Sequence, residues 1–288
     1  MRLWPPKAGR ILHSPPVEGA EPAGLRPRAL AVTSGKGGVG KTSISVNLAI
    51  SLAQMGQRVT LFDADLGMAN AEVLMGLVPP YSLYDVLYGD LTIEEVAVRG
   101  PLGINVISGG SGLVEMANLD RERRRHLLDV LSRAGRDDDF IIVDTGAGIG
   151  KNVLGFVAAA REVIVVITPE PTSLTDAYAL IKVLDRFDVH REVGVVVNRA
   201  ADQREAGRVF GRLLAVVERF LSIKLNSLGW IPEDRAVALA VKNQQPFVLA
   251  NPASAASRSM AGVAGALLQK ETPAAAGGFW SRLIRLFG

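Results

Sequence analysis

A glycine-rich loop with two lysines is the part of the chain whose residue types and spacing point most directly to chemistry. Residues 35–42 read Gly-Lys-Gly-Gly-Val-Gly-Lys-Thr and match the pattern G-x-x-x-x-G-K-[ST] throughout. In such a loop the glycines let backbone N–H groups surround phosphate oxygens, and the following helix directs the positive end of its dipole toward them. The pattern therefore predicts a site for the phosphates of a nucleotide.

The positions of this loop have distinct predicted roles. Lys41 reaches the β- and γ-phosphates, and the hydroxyl of Thr42 ligates Mg²⁺. Lys36 adds a second cation, which we expect to point outward and act on the phosphates of a facing subunit, as an arginine finger does. Turnover would then require a dimer. The other predicted phosphate contacts are Gly35, Gly37, Gly38, Val39, Gly40 and Ser43.

Three carboxylates follow short apolar runs and are candidates for the metal and for hydrolysis. Asp144 ends the run Phe140-Ile141-Ile142-Val143, which is typical of an acidic residue that binds Mg²⁺ through water. Asp63 and Asp65 stand at alternate positions and can project to the same side. We expect Asp65 to orient the attacking water, with Asp63 near the metal. The alternative is that both are solvated acids in a loop.

Two further polar segments are suited to holding a purine. Asn198 and Arg199 follow the apolar run Val195-Val196-Val197, and Pro232, Glu233 and Asp234 follow Ile231. An Asn amide can pair with the edge of adenine while backbone groups supply the remaining contacts. Polar residues at strand ends are common, so these residues matter only together with the phosphate loop.

Composition excludes several classes of chemistry. The 288 residues contain no cysteine, which excludes disulfides, Cys-ligated metal centres and thiol catalysis. The net charge is only +3, so no nucleic-acid surface is demanded. No uninterrupted apolar run approaches the ~18 residues of a spanning helix, and the N-terminus lacks the apolar core of a signal peptide. We therefore expect a cytoplasmic protein.

The order of segments predicts an α/β fold with four parts. Short apolar runs of strand length alternate with helical patterns over residues 29–269, which indicates a doubly wound, mostly parallel sheet with ligands beyond the carboxyl ends of its strands. Residues 1–28 are rich in Pro and Gly and are interpreted as a disordered leader. Residues 270–278 form a small-residue linker, and residues 279–288 form a helix.

The last helix is amphipathic. Phe279, Trp280, Leu283, Ile284 and Phe287 share one face, with arginines on the other. A helix this short cannot span a bilayer, but it fits an interfacial anchor on anionic lipid that folds on the membrane. Two anchors in a nucleotide-driven dimer would gain avidity. The alternative is a terminal helix packed against its own core.

The loop resembles that of the deviant Walker A ATPases of the MinD/ParA family, whose sequence is Lys-Gly-Gly-x-Gly-Lys-Thr, here residues 36–42. The resemblance implies a P-loop NTPase of the MinD/ParA (SIMIBI) type with slow, Mg²⁺-dependent, partner-stimulated ATP hydrolysis in an ATP-bound homodimer. It also implies that Lys36 acts across the dimer and that residues 63–70 and 144–149 are switches. The tail resembles the family's membrane-targeting sequence, which implies reversible attachment to the inner face of the cell membrane.

Within this family, residues 168–178, Thr-Pro-Glu-Pro-Thr-Ser-Leu-Thr-Asp-Ala-Tyr, look most like the FlhG branch, also called FleN or YlxH. That resemblance implies a regulator of flagellar number and placement that works with the GTPase FlhF and with basal-body or transcriptional partners. Residues 1–28 lack the Asp-Gln-Ala motif that stimulates FlhF. Alternatives are a MinD-like division-site ATPase, a ParA-like partition ATPase and a nucleotide-dependent binding module that hardly hydrolyses.

Overall fold

A single eight-stranded sheet forms the centre of the molecule. The structure is a computed structural model that describes residues 27–65, 70–89, 91–109, 134–270 and 278–287. The strands lie in the order β3-β4-β2-β5-β1-β6-β7-β8, and all neighbours pair in parallel except β3 and β4. The strands are β1 (Arg28–Ser34), β2 (Val59–Ala64), β3 (Val98–Arg99), β4 (Asn105–Ser108), β5 (Phe140–Ala147), β6 (Glu162–Ile167), β7 (Glu192–Ala200) and β8 (Lys224–Pro232).

The central strands are buried on both faces, which explains their continuous apolar sequences. Strand β1 lies between β5 and β6, with Val32 opposite both Asp144 and Ile164. Its neighbours are nearly free of solvent exposure along their length. A strand in this position needs apolar side chains on both faces, as parallel sheets covered by helices require. The predicted doubly wound α/β fold is therefore confirmed.

Helices cover both faces of the sheet and form two apolar clusters. One cluster includes side chains of α1, α9 and α10, and the other includes side chains of α5, α6, α7 and α11. The helices are α1 (Lys41–Gln54), α2 (Ala71–Leu74), α3 (Leu83–Tyr88), α4 (Ile93–Val96), α5 (Lys151–Ala159), α6 (Pro171–Arg186), α7 (Gln203–Phe220), α8 (Arg235–Lys242), α9 (Phe247–Ala250), α10 (Ala255–Gln269) and α11 (Phe279–Phe287). No helix among the described residues is long and apolar enough to cross a membrane.

The fold also differs from the sequence prediction in one place and leaves parts of it untested. Strand β3 was missed, because two residues are too short to produce a period-two pattern. The leader up to residue 26 and residues 66–69 of the first predicted switch lie outside the described residues, as do residues 271–277 of the linker.

Candidate nucleotide-binding site

The phosphate-binding loop connects the end of β1 to the start of α1. A Cβ atom added at Gly35 would lie 2.2 Å from the backbone carbonyl of Asp176 in α6, so only glycine fits there. Gly38 and Gly40 have φ angles of 78° and 91°, in the left-handed region that favours glycine. The three glycines therefore fix a loop that wraps closely and packs directly on α6.

Lys41 and the first turn of α1 supply positive potential to this loop. The helix begins at Lys41, directly after Gly40, and its first turn contains no acidic residue. Lys41 is 8% exposed, which places most of its stem inside the protein. The free N–H groups of the first turn and the helix dipole favour an anion at this end. The arrangement is compatible with the phosphate site predicted from the sequence, and the phosphate contacts of the individual residues stay predictions.

The second lysine of the loop is held within its own subunit. Lys36 Nζ donates hydrogen bonds to Glu170 Oε2 at 2.6 Å and to Thr172 Oγ1 at 2.9 Å. The bond to Lys36 lowers the pKa of the Glu170 carboxyl. Both partners stand at the start of α6, and both the lysine and the glutamate are partly exposed. From the sequence, Glu170 was noted only as part of residues 168–178 and was given no role in the site.

Asp144 lies at the bottom of the site and fits a magnesium ion. It is fully buried in β5, and Ser45 Oγ donates to its Oδ1 at 2.8 Å. Among the residues that the structure describes, its second oxygen, Oδ2, has no hydrogen-bond partner, although buried polar atoms normally have one. Burial and the nearby charge of Asp63 raise its pKa to about 7. The unpartnered oxygen, together with the nearby Thr42 hydroxyl, which lowers the pKa of this carboxyl, suits a hard cation.

Asp63 organises the first switch rather than facing solvent. Its carboxylate accepts hydrogen bonds from the backbone N–H groups of Asp65 (3.0 Å), Asn70 (2.9 Å) and Ala71 (3.0 Å). It lies opposite Asp144 on the neighbouring strand. Burial raises its pKa to about 6 despite these three bonds. Asp63 therefore fixes the backbone on both sides of residues 66–69, which a pattern of residue types did not reveal.

The carboxylate of Asp65 faces the second predicted switch. A Cβ atom added at Gly146 would lie 3.6 Å from Asp65 Oδ1, so the two switch segments approach each other closely. Gly146 belongs to the last residues of β5, and α5 begins shortly afterward at Lys151. The position of Asp65 between the two segments is compatible with the water-orienting role predicted from sequence, which stays a prediction.

Asn198 joins β7 to the phosphate-binding loop. Its Nδ2 donates to the carbonyl of Val39 at 2.7 Å, and the side chain is buried. A Cβ atom at Gly40 would lie 2.5 Å from the same Nδ2, so the amide lies directly on the loop. Arg199 follows in a left-handed conformation with φ 57°, a strained state for a residue with a side chain. The sequence predicted the proximity to nucleotide but not the bond to the loop.

The second predicted base-binding segment, residues 232–234, has a structural role in this structure. Asp234 accepts hydrogen bonds from the backbone N–H groups of Ala236 at 2.9 Å and Ala256 at 3.2 Å. It therefore caps α8 and ties it to α10. The N–H of Glu233 bonds to the Ala200 carbonyl at 3.0 Å and continues the pairing of β7 with β8. Contacts of Pro232, Glu233 and Asp234 with a base stay predictions.

The C-terminal helix α11 packs against the domain. Phe279, Trp280 and Leu283 are only 4%, 5% and 0% exposed and belong to the apolar cluster on the α5 side of the sheet. Trp280 Nε1 donates to the carbonyl of Ala134 at 3.0 Å. The structure thus adopts the alternative left open by the sequence, a terminal helix on its own core. The side chains of Ile284 and Phe287 lie outside the described residues.

A loop of this geometry at the carboxyl edge of a parallel sheet, opening a helix beside a buried aspartate, defines a P-loop nucleotide-binding protein. A family model described as the CobQ/CobB/MinD/ParA nucleotide binding domain matches residues 30–247. The chain belongs to this family, and the resemblance to MinD/ParA ATPases stated from the loop is confirmed. It is an ATPase of that type.

The similar proteins include flagellar and division-site proteins. The chain is 44% identical over 237 residues to antiactivator FleN of Pseudomonas aeruginosa, covering 82% of this chain and 85% of the relative. It is 34% identical to the flagellum site-determining protein YlxH of Helicobacter pylori, covering 90% of each. The solved MinC:MinD cell division complex of Aquifex aeolicus has a TM-score of 0.67 at 29% identity, covering 87% of this chain and 100% of that one.

Proposed function

We propose that the protein is an ATP-dependent, membrane-associating switch that regulates the number or placement of flagella. The observation that carries the proposal is a complete phosphate-binding loop beside buried carboxylates, in a chain 44% identical to a protein named antiactivator FleN. A second relative at 34% identity is named a flagellum site-determining protein. The phosphate-binding loop supports the ATP dependence of the proposed switch, and the two relatives support its flagellar role.

The proposed nucleotide is ATP, and the fixed amide of Asn198 supports this choice. One hydrogen of Nδ2 bonds the Val39 carbonyl, which orients the amide. The second hydrogen then remains for N7 of a purine and Oδ1 for the N6 amino group of adenine, the pairing that an Asn amide makes with this base. Guanine would set its O6 acceptor against Oδ1. The predicted preference is therefore adenine over guanine.

Magnesium is the proposed metal, held near Thr42 and Asp144. A bound Mg²⁺ neutralises the charge of the phosphates and polarises them for attack. Among the described residues, Asp144 Oδ2 is one of the buried oxygens without a hydrogen-bond partner, and it belongs to the carboxylate predicted to hold the metal. Asp63 supports the site mainly through the switch backbone that it binds. A bound metal ion would compensate the negative charge of both buried carboxylates, Asp63 and Asp144.

Hydrolysis is proposed to occur in a homodimer. Lys41 acts on the phosphates of its own subunit, Asp65 orients the attacking water, and Lys36 stabilises charge across the dimer. For the last role Lys36 must exchange its bonds to Glu170 and Thr172 for phosphate oxygens. A Lys36 side chain that stays bound to Glu170 contributes nothing to a facing subunit. The monomer is therefore expected to be inactive.

The ATP-bound dimer is proposed to attach reversibly to the inner face of the cell membrane through α11. The anchoring side chains are Phe279, Trp280, Leu283, Ile284 and Phe287, and the partner side is an anionic lipid surface. The FlhF GTPase and flagellar basal-body or transcriptional regulators are proposed protein partners. No specific nucleic acid is expected. The leader of residues 1–28 receives no proposed role.

Two measurements test the catalytic proposal. Phosphate release with Mg²⁺, ATP and anionic vesicles is expected to be at least about 100-fold slower in Lys36→Ala and Asp65→Ala than in the unsubstituted protein. Exposed Lys182→Ala is the control for lysine loss. If the unsubstituted protein with vesicles releases phosphate no faster than the two variants, the hydrolytic switch is wrong and a binding module remains.

The cellular role has one competing candidate, division-site placement. It is favoured by the MinD neighbours among solved structures and by a relative 35% identical to this chain, a putative septum site-determining protein MinD of Oltmannsiellopsis viridis. Deletion of the gene separates the two. Changed flagellar number per cell with normal septum position supports the proposal, whereas minicells with normal flagellation support the competitor.

A further inference from the structure

Helix α7 carries a row of exposed arginines that the candidate nucleotide-binding site does not use. Arg204, Arg208, Arg212 and Arg219 are all exposed, and we call these four residues the arginine face. Because an α-helix turns about 100° and rises about 1.5 Å per residue, the four positions lie within roughly 80° around the helix axis and extend over roughly 22 Å along it. The buried residues of α7 lie on another side of the helix. The arginine face is therefore one continuous basic surface.

The arginine face has no partner of opposite charge in the part of the chain that the structure describes. There, none of the four guanidinium groups forms an ion pair or a hydrogen bond. The guanidinium of Arg219 lies over the ring of Phe220, 5.2 Å from its centroid. The carboxylate of Glu205, an acid on the same helix, accepts the N–H of Ala201 at 2.7 Å. Like charges four residues apart on a helix repel each other, and an anionic partner would remove this repulsion.

Exposed apolar side chains lie beside the arginine face and favour a lipid partner. Val216 and Phe220 of α7 are 42% and 62% exposed. The N–H of Ser222 donates to Asp185 Oδ1 at 3.0 Å, which joins the end of α7 to the end of α6, where Phe187 is 52% exposed. Aromatic side chains next to arginines are typical of proteins that bind the membrane–water interface. A nucleic-acid duplex would be held through its phosphates by the arginines alone, which leaves the exposed phenylalanines without a use.

The arginine face and the proposed membrane anchor α11 belong to the same side of the molecule. Buried side chains of α7 and of α11 are members of one apolar cluster, so both helices cover the same face of the sheet. Helix α11 has only nine residues. A single short anchor holds a protein to a membrane weakly, and stable attachment takes a second signal such as a basic patch. The arginine face is such a patch.

We propose that the arginine face of α7, with Phe187 and Phe220 at its end, is a second membrane-binding site that takes the phosphate headgroups of anionic lipid. This inference rests on the membrane association proposed above. Each arginine close to an anionic membrane strengthens binding by about fivefold. The site depends on negatively charged lipid and weakens at high salt, because salt screens exposed charges. The apolar contacts of α11 do not have this dependence.

Co-sedimentation of the full chain with vesicles tests the proposal. With Mg²⁺ and a non-hydrolysable ATP analogue, the double variant Arg208→Gln/Arg212→Gln is expected to bind phosphatidylglycerol-containing vesicles about 25-fold more weakly than the unsubstituted protein. The matched control is Lys242→Gln/Arg258→Gln, which removes the same charge from exposed positions of α8 and α10 on the other face of the sheet. It should change binding by less than about twofold. A thermal melt checks that both double variants fold.

A fluorescent label tests whether the end of the arginine face touches lipid. The natural chain has no cysteine, so Phe220→Cys accepts a single environment-sensitive dye, and Leu239→Cys on α8, a position 49% exposed, is the control. Phosphatidylglycerol-containing vesicles are expected to shift the emission of the dye at position 220 to the blue and to leave that at position 239 unchanged. A shift at neither position, although the labelled proteins sediment with the vesicles, overturns the proposal.

Three other results also overturn it. Equal losses of binding in the two double variants would show that vesicles respond only to net charge, and no loss in Arg208→Gln/Arg212→Gln would show that α7 makes no contact. Tighter binding of the unsubstituted protein to duplex DNA than to vesicles, lost in Arg208→Gln/Arg212→Gln, would assign the arginine face to a nucleic acid. If the unsubstituted protein fails to bind vesicles with or without nucleotide, the proposed membrane association fails together with this site.

Discussion

The phosphate-binding loop and the C-terminal helix are held to the same domain by different kinds of contact. The loop is fixed by backbone packing at Gly35 and by a buried hydrogen bond from Asn198. The helix is held by three apolar side chains and the indole bond of Trp280. Backbone contacts cannot be exchanged without disturbing the fold, whereas apolar side chains can be transferred to a membrane. The loop is therefore a rigid receptor, and the helix is an exchangeable element.

This difference predicts that substitutions in the loop act on the nucleotide or on the whole domain, whereas substitutions in the helix act on docking alone. A domain unfolds cooperatively, but a terminal element can open locally at a lower free energy. Comparing global unfolding with local opening in the same set of variants separates the two kinds of element.

The largest effect is expected at Lys41. Lys41→Ala removes the cation that contacts the phosphates, and we expect phosphate release to fall roughly 100-fold or more. Fluorescent-nucleotide binding should weaken in parallel, while hydrogen exchange of the α11 amides without nucleotide should stay unchanged. Normal hydrolysis by Lys41→Ala would show that the loop is not the nucleotide receptor.

Within the loop, two glycines test the claim of rigidity. Gly35→Ala drives a methyl group into the Asp176 backbone at 2.2 Å, and we expect it to destabilise the nucleotide-free protein by roughly 3 kcal/mol in urea unfolding. Gly37→Ala is the matched control, because its added Cβ meets no atom within 4 Å, and it should stay within about 0.5 kcal/mol. Equal stability of the two variants would argue that the loop is loosely packed.

The buried carboxylates lower the stability of the protein when no metal ion is bound. Asp63 and Asp144 have folded pKa values of about 6 and about 7, above the ordinary value of 3.8. Between about pH 4 and 7 the folded protein therefore holds protons that the unfolded chain has released, and its stability falls as the pH rises through this window. The negative charge of these two carboxylates lowers the stability of the metal-free protein, and the same negative charge is needed to bind a metal ion.

Asp144→Asn tests this cost. At pH 8 with EDTA we expect it to raise the free energy of unfolding by roughly 2–4 kcal/mol, a gain that shrinks to less than about half at pH 5 and disappears below about pH 4, and to abolish Mg²⁺-dependent hydrolysis. The same substitution at exposed Asp188 is the control. A stability gain of equal size at pH 5 and pH 8 would exclude charge burial as its cause.

Features that depend on neighbouring residues could be predicted from the sequence, whereas contacts between residues far apart in the chain could not. The loop, the alternating strands and Asp144 are specified by runs of neighbouring residues, and all lie where the patterns indicated. The bond from Lys36 to Glu170 joins residues 134 positions apart, and that from Asn198 to Val39 joins residues 159 apart. Both depend on which strands become neighbours in the sheet, so no local pattern contains them.

The sequence did not determine whether the apolar face of α11 contacts lipid or the protein core, and the reason is a different one. An amphipathic helix with Phe279, Trp280 and Leu283 on one side satisfies a lipid surface and a protein core equally well, because both reward burial of the same area. Only the presence of a groove decides, and this groove is assembled from β2, α5 and Ala134, which are distant in sequence. The sequence of α11 is therefore compatible with both environments, and the structure shows the helix on the protein core.

The smallest effect is expected at Trp280→Phe, which removes the hydrogen bond to the Ala134 carbonyl but keeps an aromatic anchor. One neutral hydrogen bond contributes about 1 kcal/mol, equivalent to roughly a fivefold change in the docking equilibrium. We expect hydrogen exchange of the α11 amides to accelerate about fivefold, with urea unfolding of the domain changed by less than about 0.5 kcal/mol. Exposed Leu286→Ala is the control. If Trp280→Phe lowered global stability as much as Gly35→Ala, the helix would be part of the cooperative core, and the contrast between a rigid receptor and an exchangeable helix would be lost.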